Sequence, residues 1–170
     1  RNFKVSDFQQ GVNYFDFVSG LDFMRTQLGV MNPSTLRDFD FRIESDNADT
    51  LVVGFSCLRP SLFSTGAYCP EKYSGTITFL KSENVVLGSD YAIELNGLSL
   101  LGLSVRQFGD SQRAKVSCRV RYAKFSGKYA MSSIFADIHS PGIDLSEHID
   151  VRAASIKQPA KVHGKVFYTR

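Results

Sequence analysis

The segment Gln112-Arg-Ala-Lys-Val-Ser-Cys-Arg-Val-Arg-Tyr-Ala-Lys124 decides the fold class. Val116, Cys118, Val120 and Tyr122 recur at every second position, with polar residues between them. Successive side chains of a strand point to opposite faces, so this period predicts a half-buried β-strand. Its apolar column faces a core. Lys115, Arg119 and Arg121 line the other face, with Arg113 at the strand's entrance. Two readings of that cationic row are open: a surface for phosphate, or a solvated face of an antiparallel strand.

The same grammar extends in both directions. Residues 37–44 alternate Phe39, Phe41 and Ile43 against Asp38, Asp40, Arg42 and Glu44, which predicts another half-buried strand. Residues 50–58, 75–80, 91–95, 98–106, 129–138 and 162–169 read as further extended segments, separated by clusters of Gly, Pro, Ser and Asn. Residues 59–74, with Pro60, Gly66 and Pro70, read as the longest loop. Helical spacing of Phe17, Leu21, Met24 and Leu28 predicts one helix over residues 13–30. Short strands with frequent turns predict an all-β protein: a small β-barrel lobe preceded by a second, mainly β lobe with that N-terminal helix. The boundary falls at Phe108-Gly-Asp-Ser111, dividing residues 1–108 from residues 109–170.

That boundary coincides with a change in charge. Residues 1–108 carry 9 Lys and Arg against 12 Asp and Glu, a net of −3, whereas residues 109–170 carry 11 against 5, a net of +6. An anionic partner is therefore expected at the C-terminal part. The apolar runs, such as Leu98-Ser-Leu-Leu-Gly-Leu103, are too short to span a bilayer, so no membrane insertion is expected. Cys57, Cys69 and Cys118 have no metal-ligand spacing and read as free thiols. With no legible secretory leader and no Asn-x-Ser/Thr acceptor, the expected compartment is reducing and cytoplasmic.

No catalytic constellation is legible. His139, His148 and His163 are scattered, and neither a Gly-x-Ser-x-Gly elbow nor a phosphate loop occurs. The acidic pairs Asp38/Asp40 and Asp46/Asp49 are explained by an exposed strand and its turn. A non-enzymatic binding protein without a cofactor is the expectation. The other segment of note is Phe135-Ala-Asp-Ile-His-Ser-Pro-Gly-Ile-Asp-Leu145, where a strand runs into a Pro-Gly turn. Asp137 can accept hydrogen bonds from turn amides, and Gly142 permits close backbone approach or a positive φ.

Together the two segments resemble a PilZ domain, the small β-barrel that binds cyclic di-GMP. Arg113-Ala-Lys-Val-Ser-Cys-Arg-Val-Arg-Tyr122 is similar to the second arginine of the family's Arg-x-x-x-Arg motif and the strand that follows it. Asp137-Ile-His-Ser-Pro-Gly142 is similar to its Asp-x-Ser-x-x-Gly motif. The resemblance covers residues 109–170, where residues 162–170 look like a later barrel strand; residues 1–108 resemble, in arrangement only, the N-terminal β domain of flagellar-brake proteins. It implies a signalling role in which Arg113 grips phosphate, Asp137 and Gly142 shape the turn, and Arg119 and Arg121 supply a basic face. Gly109 stands where the motif's first arginine belongs and His139 where its serine belongs, so the implied regulator binds cyclic di-GMP weakly or docks a partner protein instead. A second reading is a jelly-roll capsid protein of a small virus, self-assembling in a virion with the basic strand against packaged nucleic acid.

Overall fold

A computed structural model describes residues 29–67, 70–96, 113–140 and 145–153. The protein is all-β. Among the described residues, seven strands form one antiparallel sheet in simple sequence order: β1 (Phe39–Asp46), β2 (Thr50–Cys57), β3 (Pro70–Leu80), β4 (Val85–Asn96), β5 (Arg113–Phe125), β6 (Lys128–Ser140) and β7 (Leu145–Arg152). Each strand pairs with its chain neighbour, and the sheet stays open rather than closing into a barrel. Strands β4 and β5, on either side of residues 97–112, pair directly from Gly88 opposite Arg121 to Asn96 opposite Arg113.

Local chemistry sets the turns. Asn32 caps a short 3₁₀ helix (Pro33–Asp38), its side chain accepting from the Ser34 N–H at 2.9 Å, and the chain then enters β1. Between β2 and β3 lies a short helix, α1 (Leu62–Thr65), which starts on a Ser61–Ser64 capping box and stops at Gly66 with φ 72°. The β5–β6 hairpin turns on Ser126 and Gly127, with φ 48° and 81°. Positive φ at both central residues is the type I′ geometry whose twist matches that of paired strands.

The sheet buries one face. Val116, Val120 and Ile134 are fully inaccessible, and Ala114, Cys118, Tyr122, Ala136 and Ile138 are buried beside them. A row of aromatic rings continues that face across the other strands. Phe39, Phe55, Tyr73 and Tyr91 meet edge to face, with centroids 6.0, 5.0 and 5.7 Å apart in succession. The face assigned to β5 from sequence is the one observed: Val116, Cys118, Val120 and Tyr122 are buried, whereas Lys115 and Arg119 are exposed.

Several expectations are corrected. Residues 59–74 are not one loop, because α1 interrupts them and β3 begins at Pro70, where buried Tyr73 sits opposite Ile93. Strand β7 was not anticipated from sequence, since Glu147 interrupts the apolar alternation of Leu145, Ile149 and Val151. Strand β1 pairs as expected, but only Phe39 is buried; Phe41 and Ile43 are 41% and 68% exposed. They lie on the core face at the end of the described sheet, where β1 has a strand on one side only among the described residues. The expected helix over 13–30 and the strands over 98–106 and 162–169 lie essentially outside the described residues. No helix among the described residues is long and apolar enough to cross a membrane.

Candidate functional site

The face opposite the core is polar, and its charges concentrate on the central strands. Because β4 and β5 are antiparallel neighbours, their register sets acids against cations: Asp90 opposite Arg119, and Glu94 opposite Lys115. Arg121 closes a fork on Asp90, with Nη1 2.7 Å from Oδ1 and Nη2 2.9 Å from Oδ2. Its Nη1 also donates to the Val120 and Ser89 carbonyls, at 2.9 and 3.3 Å. Arg119 reaches the same carboxylate at 3.6 Å, and its guanidinium lies 5.9 Å from the centroid of the Phe135 ring. Asp90 therefore serves both arginines. A bidentate, charge-assisted pair of this kind orients the guanidinium and uses its donors.

A second group of charges lies toward the start of β5. Arg113 reaches Glu71 at 3.8 Å, and Lys72 reaches Glu94 at 3.0 Å. Lys115, whose register neighbour Glu94 is held by Lys72, has no ion-pair partner among the described residues. The β5–β6 register sets His139 beside Lys115 and Asp137 beside Ser117. Asp137 in turn bonds His148 of β7 through Nδ1. Arg113, Lys115, Asp137 and His139 thus share the polar face at one end of the sheet. Arg119 and Arg121 share that face but sit farther along β5 and are tied to Asp90. Gly142, and the Gly109 position of the motif's first arginine, lie outside the described residues.

Two features were missed in the sequence. One is the acid complement on β4: Asp90 and Glu94 alternate with Tyr91, Ile93 and Leu95, and that alternation was the available signal. The other is a shallow hollow of about 410 Å³ over β1–β3, bounded by Asp40, Arg42, Glu44, Ser56, Ser74 and Thr76 and floored in part by Gly54. A Cβ at position 54 would meet the carboxylate end of the Glu44 side chain, which would have to swing aside.

The cysteines follow their surroundings. Cys118 and Cys57 are free thiols, and burial pushes the Cys118 thiol up to about 11, which keeps it protonated and unreactive. Cys69 lies outside the described residues. Among the described residues no three His, Cys, Asp or Glu side chains converge as a metal site. No family model, curated protein or solved structure matches this chain.

Proposed function

We propose that this chain is a non-enzymatic regulatory binding protein of PilZ type, which receives an anionic ligand at the Arg113, Lys115, Asp137 and His139 end of the polar face. The observation that carries this reading is the cross-strand adjacency of the two motif-like segments, Lys115 beside His139 and Ser117 beside Asp137. Lys115 offers an ammonium that no acid among the described residues engages, and Arg113 adds a guanidinium at the same end. The expected affinity for cyclic di-GMP is low, because Gly109 supplies no guanidinium and Glu71 competes for Arg113. Docking of a partner protein is then the main activity of this face. The capsid alternative asks for cations available to nucleic acid, and the engagement of Arg119 and Arg121 by Asp90 weighs against it.

Calorimetry with cyclic di-GMP tests the proposal. The wild-type chain should bind weakly or not at all. Gly109→Arg with His139→Ser should strengthen binding roughly ten- to a hundredfold, the worth of one charge-assisted contact. Adding Arg113→Ala should remove the gain. A folded double variant that still ignores the nucleotide would sink the PilZ reading. Tight, steeply salt-dependent binding to long single-stranded nucleic acid would favour the capsid reading instead.

A further inference from the structure

The described sheet ends in two edges, β1 and β7, and they are built differently. In strand β7 the apolar Ile149 and Val151 are partly buried, and the residues exposed between and beside them, His148, Asp150 and Arg152, are polar. In β1 five consecutive residues, Asp40 to Glu44, are exposed, and two of them are Phe41 and Ile43. An exposed apolar edge is a template for another strand. The Leu58 N–H donates to the Asp38 carbonyl at 2.7 Å, so the backbone groups of even-numbered β1 residues face β2. Hydrogen-bonding direction alternates along an antiparallel strand, so the N–H and C=O groups of Phe41 and Ile43 point away from β2. The register shift between Ile43 and Ser45 ends this regular stretch.

We infer that β1 pairs antiparallel with β1 of a second copy of this chain, about a twofold axis at Phe41. A twofold interface must match itself, and Phe39-Asp-Phe-Arg-Ile43 does so residue by residue. Phe41 meets the partner's Phe41, and Phe39 meets the partner's Ile43, which extends the aromatic face across the axis. On the polar face Asp40 meets the partner's Arg42, and Arg42 meets the partner's Asp40. Asp40 has no ion-pair partner among the described residues of its own chain. Arg42 has Glu44 as its one ion-pair partner among those residues, at 2.5 Å, with its side chain 80% exposed. Moving the axis to residue 40 or 42 would set Asp40 on Asp40 or Arg42 on Arg42, and like charges directly opposite destabilise a strand pair. Phe41 exchanges both backbone hydrogen bonds with its copy, and the Ile43 N–H donates to the partner's Phe39 carbonyl.

Sedimentation velocity over a rising concentration series tests this directly. The wild-type chain should show a monomer–dimer equilibrium. Asp40→Arg, whose repulsion occurs twice per dimer, should raise the dissociation constant at least about tenfold. Asp40→Arg with Arg42→Asp should return it to within about threefold of wild type, a residual under about 1 kcal/mol, whereas Arg152→Asp on β7 should leave it unchanged. If circular dichroism shows Asp40→Arg misfolded, Ile43→Lys serves in its place, with the same tenfold expectation. A monomer at every concentration overturns the inference. So does a dimer insensitive to both β1 changes, or an open-ended series of oligomers, the signature of β1 pairing with β7.

Discussion

Strands β5 and β1 carry the same alternation of apolar and charged residues and meet different environments. In β5 the apolar parity is buried from Ala114 to Tyr122, and on the charged parity acids of β3 and β4 engage Arg113, Arg119 and Arg121, though none among the described residues engages Lys115. In β1 the apolar parity is buried only at Phe39, and Phe41 and Ile43 stand in solvent. The difference is one of position. A central strand has hydrogen-bonded neighbours on both sides. An edge strand has one neighbour, and its column is covered only as far as the core reaches. Alternation thus specifies a face, while the amount of burial on that face belongs to the fold.

Val120→Asp would bury an unpaired carboxylate at a fully inaccessible position and should cost about 4 kcal/mol or more. Ile43→Asp makes the same chemical change on the same face at a 68% exposed position. In dilute monomer it should cost less than about 0.5 kcal/mol. Urea unfolding of both variants checks this, and equal costs would mean that the β1 end of the face is covered.

Alkaline titration probes the buried column of the central strands. Burial raises Cys118 from 9.0 to about 11 and raises the Tyr73 and Tyr91 hydroxyls well above 10.0. A group whose folded pKa is raised contributes stability that is complete below its unfolded pKa and is lost as pH climbs through the folded one. Stability should therefore begin to fall near pH 9, with about 2–3 kcal/mol lost by pH 11 through Cys118 alone. Cys118→Ala should flatten the early part of that decline.

Gly127→Ala tests the hairpin that sets β5 against β6. Gly127 has φ 81° and open space around its Cα, so the cost is purely conformational and should be about 1 kcal/mol in thermal unfolding. Smallest of all, Arg119→Ser removes an exposed side chain whose nearest carboxylate contact is 3.6 Å away. It should cost under about 0.5 kcal/mol. A cost near that of Gly127→Ala would mean that Arg119, and not Arg121 alone, holds β4 to β5.

The all-β class, six of the described strands and the core face of β5 were legible in the order of residues alone. These are consequences of side-chain period and turn residues, which act locally. Residue type and motif-like spacing also marked Arg113, Asp137, His139, Gly142, Arg119 and Arg121, with Lys115 in the same basic row. Tertiary structure decided the rest. Residue pairing across strands set Asp90 between Arg119 and Arg121, set His139 beside Lys115, and brought in β7 despite its interrupted alternation. Pairing register is a long-range property, and one residue of slip would exchange the two faces. Whether the exposed ring of Phe41 marks a flaw or an interface was likewise invisible in the alternation of β1, because edge and centre are positions in a sheet and not properties of a segment.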